Sequence, residues 1–269
     1  MKDFKVGIIQ LPAKGDKKEN LKTMEEYVAL VKKEGADVVC LPEMWNCPYQ
    51  NSYFTKFAEE DFGETYEMMS QVAKENRVYL IGGSIPIKSG DKIYNRSYVF
   101  DKSGKEIYRY SKINLFDIEG YKESDTISGG KSLGVFETEY GTFGLAICFD
   151  LRFPELFQTF RDYGAEVIFV PSTFMKKTGE VHFHLLNRAR AVDTQCYLVS
   201  PAIARDDDLS KNAYAHSLIV DPSGKIEVDL GEDKNYAVLK LEANKVKRER
   251  EKLPLEVSCL LYTSPSPRD

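Results

Sequence analysis

The sequence predicts a mixed α/β layered fold, and three observations carry that prediction. Short apolar runs alternate with stretches of helical periodicity. Several neighbouring runs are joined by tight turns instead of helices. No Pro/Ser/Gly linker or internal repeat divides the 269 residues. Strands connected partly by helices and partly by hairpins form sheets that helices cover. A chain of this length that is 42% hydrophobic can bury a substantial core, and a single domain over residues 1–258 is expected.

Taken in order, "FKVGIIQ" (4–10) reads as a strand. Residues 17–34 place Leu21, Met24, Tyr27, Val28 and Val31 at helical spacing, and Gly35 stops that helix. "DVVCLPE" (37–43) reads as a second buried strand, 64–75 as a helix, and "RVYLIGGS" (77–84) as a strand. "NRSYVFDKSGKEIYRYSKINLF" alternates on both sides of Asp101–Gly104 and predicts a hairpin. "SLGVFETEYGTFGLAIC" repeats the pattern around Tyr140-Gly141. A helix (154–163), a strand (166–171), a helix (181–195) and a strand (196–201) follow. "AHSLIVDPSGKIEVDL" closes the series as a third hairpin turning at Pro222–Gly224.

Composition excludes several classes. A net charge of −5 argues against a nucleic-acid binder. No apolar run approaches the roughly 18 residues of a membrane span. "MKDFKVGIIQLP" shows strand-like alternation with no signal-peptide core, so a cytoplasmic protein is expected. The glycines form neither G-x-G-x-x-G nor a P-loop. The five cysteines are scattered with no C-x-x-C pair, which speaks against zinc ribbons and thioredoxin chemistry.

Four places could carry chemistry. In "TFGLAICFDLRFPEL" (142–156) an apolar run ends at Cys148, and Pro154 suits a first helical turn. Ligands of open α/β sheets lie at such strand ends, and a nearby helix start, with Arg152, would favour a thiolate. The competing reading is a packed core thiol. In "CLPEMWNCPY" (40–49) Glu43 follows a buried strand, where desolvation would raise its pKa toward that of a general base; a solvated loop glutamate is the alternative. In "YRYSKINLFD" (108–117) Lys112 ends a strand-like run among apolar residues, and Glu119 and Glu123 follow. His182 and His184 could suggest a metal site, but positions i and i+2 of a helix do not face each other, so no metal is assigned.

"LPE", "SKINLFD" and "ICFDLRFPE", in this order, resemble the three signature segments of the nitrilase superfamily of carbon–nitrogen hydrolases. "HFHLLNRARAVDTQCYLVSPA" (182–202) and "AHSLIVDPSGKI" (215–226) resemble the next two, so the likeness spans about residues 4–250. The resemblance implies a four-layer α-β-β-α sandwich that assembles as a homodimer or a higher homo-oligomer. It implies a triad of Glu43 as base, Lys112 as oxyanion partner and Cys148 as nucleophile, with the Phe149 N–H as a further oxyanion donor. A second glutamate falls at Glu123, because "YKES" is similar to the F-x-E-S form of the ω-amidase branch, and Glu119 competes for that place. No metal or organic cofactor is implied.

"LPEMWNCPYQNSYF" and "RDDDLSKNAYAHS" also resemble that branch, which implies a small-molecule amide substrate carrying a carboxylate, such as 2-oxoglutaramate or succinamate. Tyr49, Arg152 and Lys176 are candidates to hold the carboxylate, although Arg152 could instead pair with Asp150. Phe174 and Met175 are expected to line the pocket. Departures from the pattern are His182-Phe183-His184 where relatives often read H-W-E, and Asn114 where histidine is common. The competing functions are another branch of the superfamily (an N-carbamoyl-amine hydrolase, a deaminated-glutathione amidase or a nitrilase), a papain-like Cys–His enzyme, and a catalytically silent binding protein. Residues 259–269, "CLLYTSPSPRD", look like an adapter read through in frame, and the family's R-R-P-D-L-Y-like tail, which supports the dimer, is absent.

Overall fold

The structure is a computed structural model that describes residues 1–206 and 208–255. The expected boundary at residue 258 and the adapter-like segment 259–269 lie outside the described residues. In chain order the elements are β1 (Phe4–Gln10), α1 (Lys17–Lys33), β2 (Val38–Cys40), α2 (Asn51–Phe57), β3 (Glu59–Glu60), α3 (Glu64–Asn76), β4 (Tyr79–Ile81), β5 (Ile85–Ser89), β6 (Lys92–Phe100) and β7 (Glu106–Ser111). There follow β8 (Asp117–Ile118), β9 (Tyr121–Lys122), β10 (Val135–Thr138), β11 (Gly141–Leu145), α4 (Pro154–Asp162), β12 (Val167–Phe169), α5 (Lys176–Thr194), β13 (Tyr197–Ser200), β14 (Leu218–Val220), β15 (Ile226–Asp229), β16 (Asn235–Leu241) and α6 (Ala243–Lys252).

Two large sheets result. The first has the order β16-β1-β2-β4-β6-β5-β3, with β7 also paired to β6; the second runs β10-β11-β12-β13-β14-β15. The alternation of side chains along each strand sorts the residues of the first sheet into two cores. Phe4, Val6, Ile8, Val38, Cys40, Ile81 and Val99 face the second sheet. Ile9, Val39, Leu80, Tyr98 and Phe100 face the other way, onto α1 and α3, which contribute Leu21, Met24, Val28, Val31, Met69 and Val72. On the outer face of the second sheet, α4 supplies Phe157 and Phe160 and α5 supplies Phe183. The layers therefore run helices, sheet, sheet, helices, as the resemblance implies.

Local chemistry explains the element limits. Asp16 caps α1 by accepting the N–H groups of Lys18 and Glu19, and Gly35, at φ +89°, turns the chain out of it. Pro154 opens α4 in the first turn, where its missing N–H has no role. All three hairpins form where alternation predicts them. The helix expected at 181–195 starts earlier, at Lys176, because Gly179 packs directly on the Tyr214 ring and the helix can begin beneath it. The sequence reading leaves α2, β5 and the stretch 235–252 unassigned. That stretch holds β16, which pairs antiparallel with β1 along all seven residues of each, and α6.

The inter-sheet core has an aromatic centre at Phe143. Its ring lies 5.4 Å from Phe4, 5.8 Å from Phe136 and 5.3 Å from Phe169, centroid to centroid. Phe143→Ala removes the ring that joins the two sheets. The expected cost is about 3–5 kcal/mol of unfolding free energy, read as a lower urea midpoint at unchanged slope.

Candidate active site

Strand ends from both sheets converge on one place. β2 runs through Leu41 and Pro42 into Glu43, β7 ends one residue before Lys112, and β11 runs through Ala146 and Ile147 into Cys148. The Glu43 turn is tightly held. Gly83 sits at φ +60°, and a Cβ there would come within 2.0 Å of the Pro42 carbonyl oxygen, so only glycine fits. The Ser84 N–H donates to the same carbonyl at 3.1 Å, and the Met44 N–H donates to Ser84 Oγ at 3.2 Å.

Lys112 is fully buried between two fully buried carboxylates. Its Nζ donates to Glu43 Oε1 at 2.9 Å and to Glu123 Oε2 at 2.8 Å, with Tyr49 Oη at 3.3 Å. Asn95, on β6, links the two acids by donating from Nδ2 to Glu43 Oε1 at 2.9 Å and to Glu123 Oε1 at 3.1 Å. The Phe116 N–H adds a bond of 2.7 Å to Glu123 Oε2. Burial pushes the Lys112 ammonium toward neutrality, but the Glu123 and Glu43 charges outweigh it and hold its pKa well above the usual value. Burial raises the Glu43 pKa; Lys112 opposes that and Glu123 adds to it. Glu43 Oε2 has no hydrogen-bond partner among the described residues.

Cys148 faces this set from the second sheet. It opens a 3-10 turn, Cys148–Arg152, at φ 47°, a left-handed conformation that costs a non-glycine residue strain and is concentrated at functional sites. Its N–H donates to the Pro171 carbonyl at 2.9 Å, while the following Phe149 N–H donates to no carbonyl outside its own turn among the described residues. Asp150 pins the turn: it accepts from Tyr110 Oη at 2.7 Å, the Ile147 N–H at 3.0 Å, the Asn114 N–H at 2.9 Å and Asn114 Nδ2 at 2.8 Å. The thiol departs from the sequence expectation. Its pKa stands well above the ordinary value, first through burial and then through the Glu43 charge, with Lys112 opposing. The α4 start that was to favour a thiolate lies at Pro154, beyond the intervening turn.

The remaining expectations sort clearly. Glu123 joins the cluster, whereas Glu119 is exposed. Arg152 does not pair with Asp150. Its guanidinium reaches His182 Nδ1 at 3.3 Å and lies over the Phe149 and Phe174 rings at 5.4 and 5.5 Å, and its buried Nε has no partner among the described residues. Phe149, Arg152, Phe174 and Met175 wall a narrow space of about 10 Å³ against Cys148, which Phe116, Thr173 and Thr178 complete. An adjoining, mostly apolar cavity of about 270 Å³ shares Phe116, Thr173 and Met175 and adds Tyr49 and Tyr121. Lys176, at the start of α5, lines neither space. The sequence reading misses Asn95, whose only signal is an amide within a largely apolar strand, and Thr173, whose Oγ1 donates to the Glu43 carbonyl at 3.0 Å.

A buried carboxylate, ammonium and thiol at strand ends of two facing sheets form the arrangement that the signature segments imply. The family model described as carbon-nitrogen hydrolase matches residues 5–249. The chain belongs to the carbon–nitrogen hydrolase family. The hydrolase is 39% identical over 260 residues to omega-amidase NIT2 of Mus musculus, covering 95% of this chain and 94% of that one. It is 39% identical over 259 residues to a hydrolase of Schizosaccharomyces pombe, covering 94% and 80%. Among solved structures it superposes on Saccharomyces cerevisiae Nit3, a member of branch 10 of the nitrilase superfamily, with a TM-score of 0.89 at 36% identity, covering 94% of this chain and 95% of that one.

Lys112→Met takes the cation from between two buried acids. A loss of about 3–5 kcal/mol is expected at neutral pH. Without the ammonium, the folded-state pKa of Glu43 rises further above its unfolded value. The deficit therefore grows as pH rises past the unfolded carboxyl pKa and shrinks as pH falls toward about 4.3. Urea midpoints of both proteins between pH 4.5 and 8 check the sign.

Proposed function

We propose that the hydrolase is a thiol amidohydrolase of the ω-amidase kind, cleaving small carboxylate-bearing amides to acid and ammonia through a Cys148 thioester. The observation that carries the substrate class is Arg152, a half-buried cation beside the thiol with no carboxylate partner among the described residues. A substrate carboxylate would supply that partner and place its far amide toward Cys148. Identities of 37% and 39% to proteins named omega-amidase support the same reading.

In this mechanism Cys148 rests as the neutral thiol and Glu43 takes its proton as sulfur attacks the amide carbon. The raised pKa of Glu43 suits it to that transfer. Lys112 and the Phe149 N–H stabilise the tetrahedral oxyanion. Glu43 then passes the proton to the leaving nitrogen, and ammonia departs from the thioester. Glu43 next takes a proton from water, hydroxide adds to the thioester carbonyl, and collapse expels the sulfur, which regains that proton as the acid leaves. Glu123 holds Lys112 in place.

We further propose a homodimer, supported by Val181, Leu185 and Val192, which expose one apolar stripe of α5. A cytoplasmic location fits the free thiols of Cys40, Cys47, Cys148 and Cys196. Among the described residues no helix is long and apolar enough to cross a membrane.

Ammonia release from succinamate and 2-oxoglutaramate tests the chemistry. Cys148→Ala should lower it by about 10⁴-fold or more while the fold persists; retained turnover would remove the mechanism. Arg152→Met tests the substrate class. Losing a charge-assisted contact should lower kcat/KM for succinamate by about 10–100-fold and leave neutral butyramide nearly unchanged. Equal losses on both amides would reject Arg152 as the carboxylate partner.

A further inference from the structure

Away from Cys148, α5 and the β14–β15 hairpin bring two imidazoles and a carboxylate around one point. His184 Nε2 lies 2.9 Å from Asp229 Oδ2, and His216 Nδ1 lies 2.9 Å from Asp229 Oδ1. The three donor atoms all lie within 4.8 Å of one another. An ion inserted among them would replace the proton that each 2.9 Å contact carries, with those two spacings opening slightly to suit the roughly 2.0–2.2 Å bonds that Zn²⁺ makes to imidazole nitrogen and carboxylate oxygen.

The surroundings hold each donor in place. Tyr214 Oη contacts His184 Nδ1 at 3.1 Å, which leaves Nε2 directed at the centre, and outer contacts of this kind orient metal-bound histidines. The Tyr214 ring stacks on His216 with centroids 4.5 Å apart. The Gly231 N–H fixes Asp229 Oδ1 at 2.9 Å. Ala215 and His216 both adopt left-handed backbone, at φ 63° and 58°. Two consecutive non-glycine residues in that region cost strain, and here it turns His216 inward while its N–H donates to the Gly231 carbonyl at 2.7 Å. Burial opposes ionisation of Asp229, but its bonds to His184, Gly231 and His216 outweigh it and hold the pKa below the usual value, so the carboxylate is charged at neutral pH.

We propose that His184, His216 and Asp229 form a site for one divalent transition-metal ion of the Zn²⁺ class, separate from the catalytic centre. Two imidazoles and one carboxylate suit Zn²⁺ over Mg²⁺ or Ca²⁺, which prefer all-oxygen sets. Water completes the shell. The ion's role is mechanical: it ties α5 to the hairpin. That junction reaches the substrate cavity, because the Tyr214 N–H donates to the Phe174 carbonyl at 2.8 Å and Phe174 packs on Phe183 of α5 at 4.8 Å. The sequence considers only His182 as a partner for His184. In the fold His182 faces Arg152, and the partner comes from 32 positions further on.

The full chain, stripped with a chelator, is titrated with ZnCl₂ by calorimetry and followed by thermal unfolding. One Zn²⁺ per chain is expected, with Tm raised by roughly 5 °C at about 100 times Kd. Co²⁺ in its place should show d–d bands with no thiolate charge-transfer band, which separates this site from binding at a cysteine. His184→Ala and Asp229→Asn, each checked for cooperative unfolding, should weaken Zn²⁺ by at least 10-fold. His216→Asn, which tolerates the left-handed backbone, replaces either variant that does not fold. Absence of saturable binding, binding that survives these substitutions, or a thiolate band would each overturn the proposal and leave the cluster a hydrogen-bonded one.

Discussion

The site depends on the desolvated contact of Lys112 with Glu43 and Glu123. An ammonium and two carboxylates sit out of water, and none of the three could be there without the others. The set pairs one cation with two acids. Neutral donors, the Asn95 amide and the Phe116 N–H, satisfy further oxygen lone pairs of the two acids. One lone-pair face, Glu43 Oε2, stays free of those bonds. The cluster thus fixes Glu43 and leaves its Oε2 without a hydrogen bond among the described residues.

That cluster belongs to the first sheet and to the turn at Glu123, whereas the thiol belongs to the second sheet. Nothing local holds Cys148 near Glu43; the packing of the two sheets does. The aromatic core around Phe143 is therefore also the device that sets the distance between Glu43 and Cys148, the base and nucleophile of the proposed mechanism. The thiol turn is then locked from behind by Asp150, whose four bonds reach β7 through Tyr110 and the loop after Lys112 through Asn114. One buried acid joins the lysine segment and the cysteine segment without touching either reactive atom. It also explains why Arg152 is not drawn into an ion pair with Asp150, since that carboxylate is already saturated.

Much of this was legible in the sequence because the reactive residues end apolar runs. Glu43 and Cys148 each follow a buried strand, and Lys112 follows a half-buried one. What stayed hidden is non-local. Asn95 sits inside a strand, and only the pairing of β6 beside β7 turns its amide toward both acids. The union of β16 with β1 joins opposite ends of the chain, which periodicity cannot reveal. The thiol's raised pKa was hidden for another reason: a helix start was visible in the sequence, but the depth of burial and the charge on Glu43 were not. His184 and His216 come together only because two left-handed residues re-aim the entry to β14.

The two joined spaces divide the work of selection. The larger is apolar and could admit many groups, but it does not reach the sulfur. The space at Cys148 is small and carries the arginine. At about 10 Å³ that space holds little more than one water-sized group, so any acyl group that brings its carbonyl to the thiol must displace Phe116, Thr173 or Met175, and a bulky or branched one the most. Under the proposed chemistry, selectivity would arise at the constriction, where the aromatic walls exclude water and would strengthen the pull of Arg152 on a carboxylate. The apolar lining and the cation act together, because the same rings that narrow the passage also lower the local dielectric around the charge.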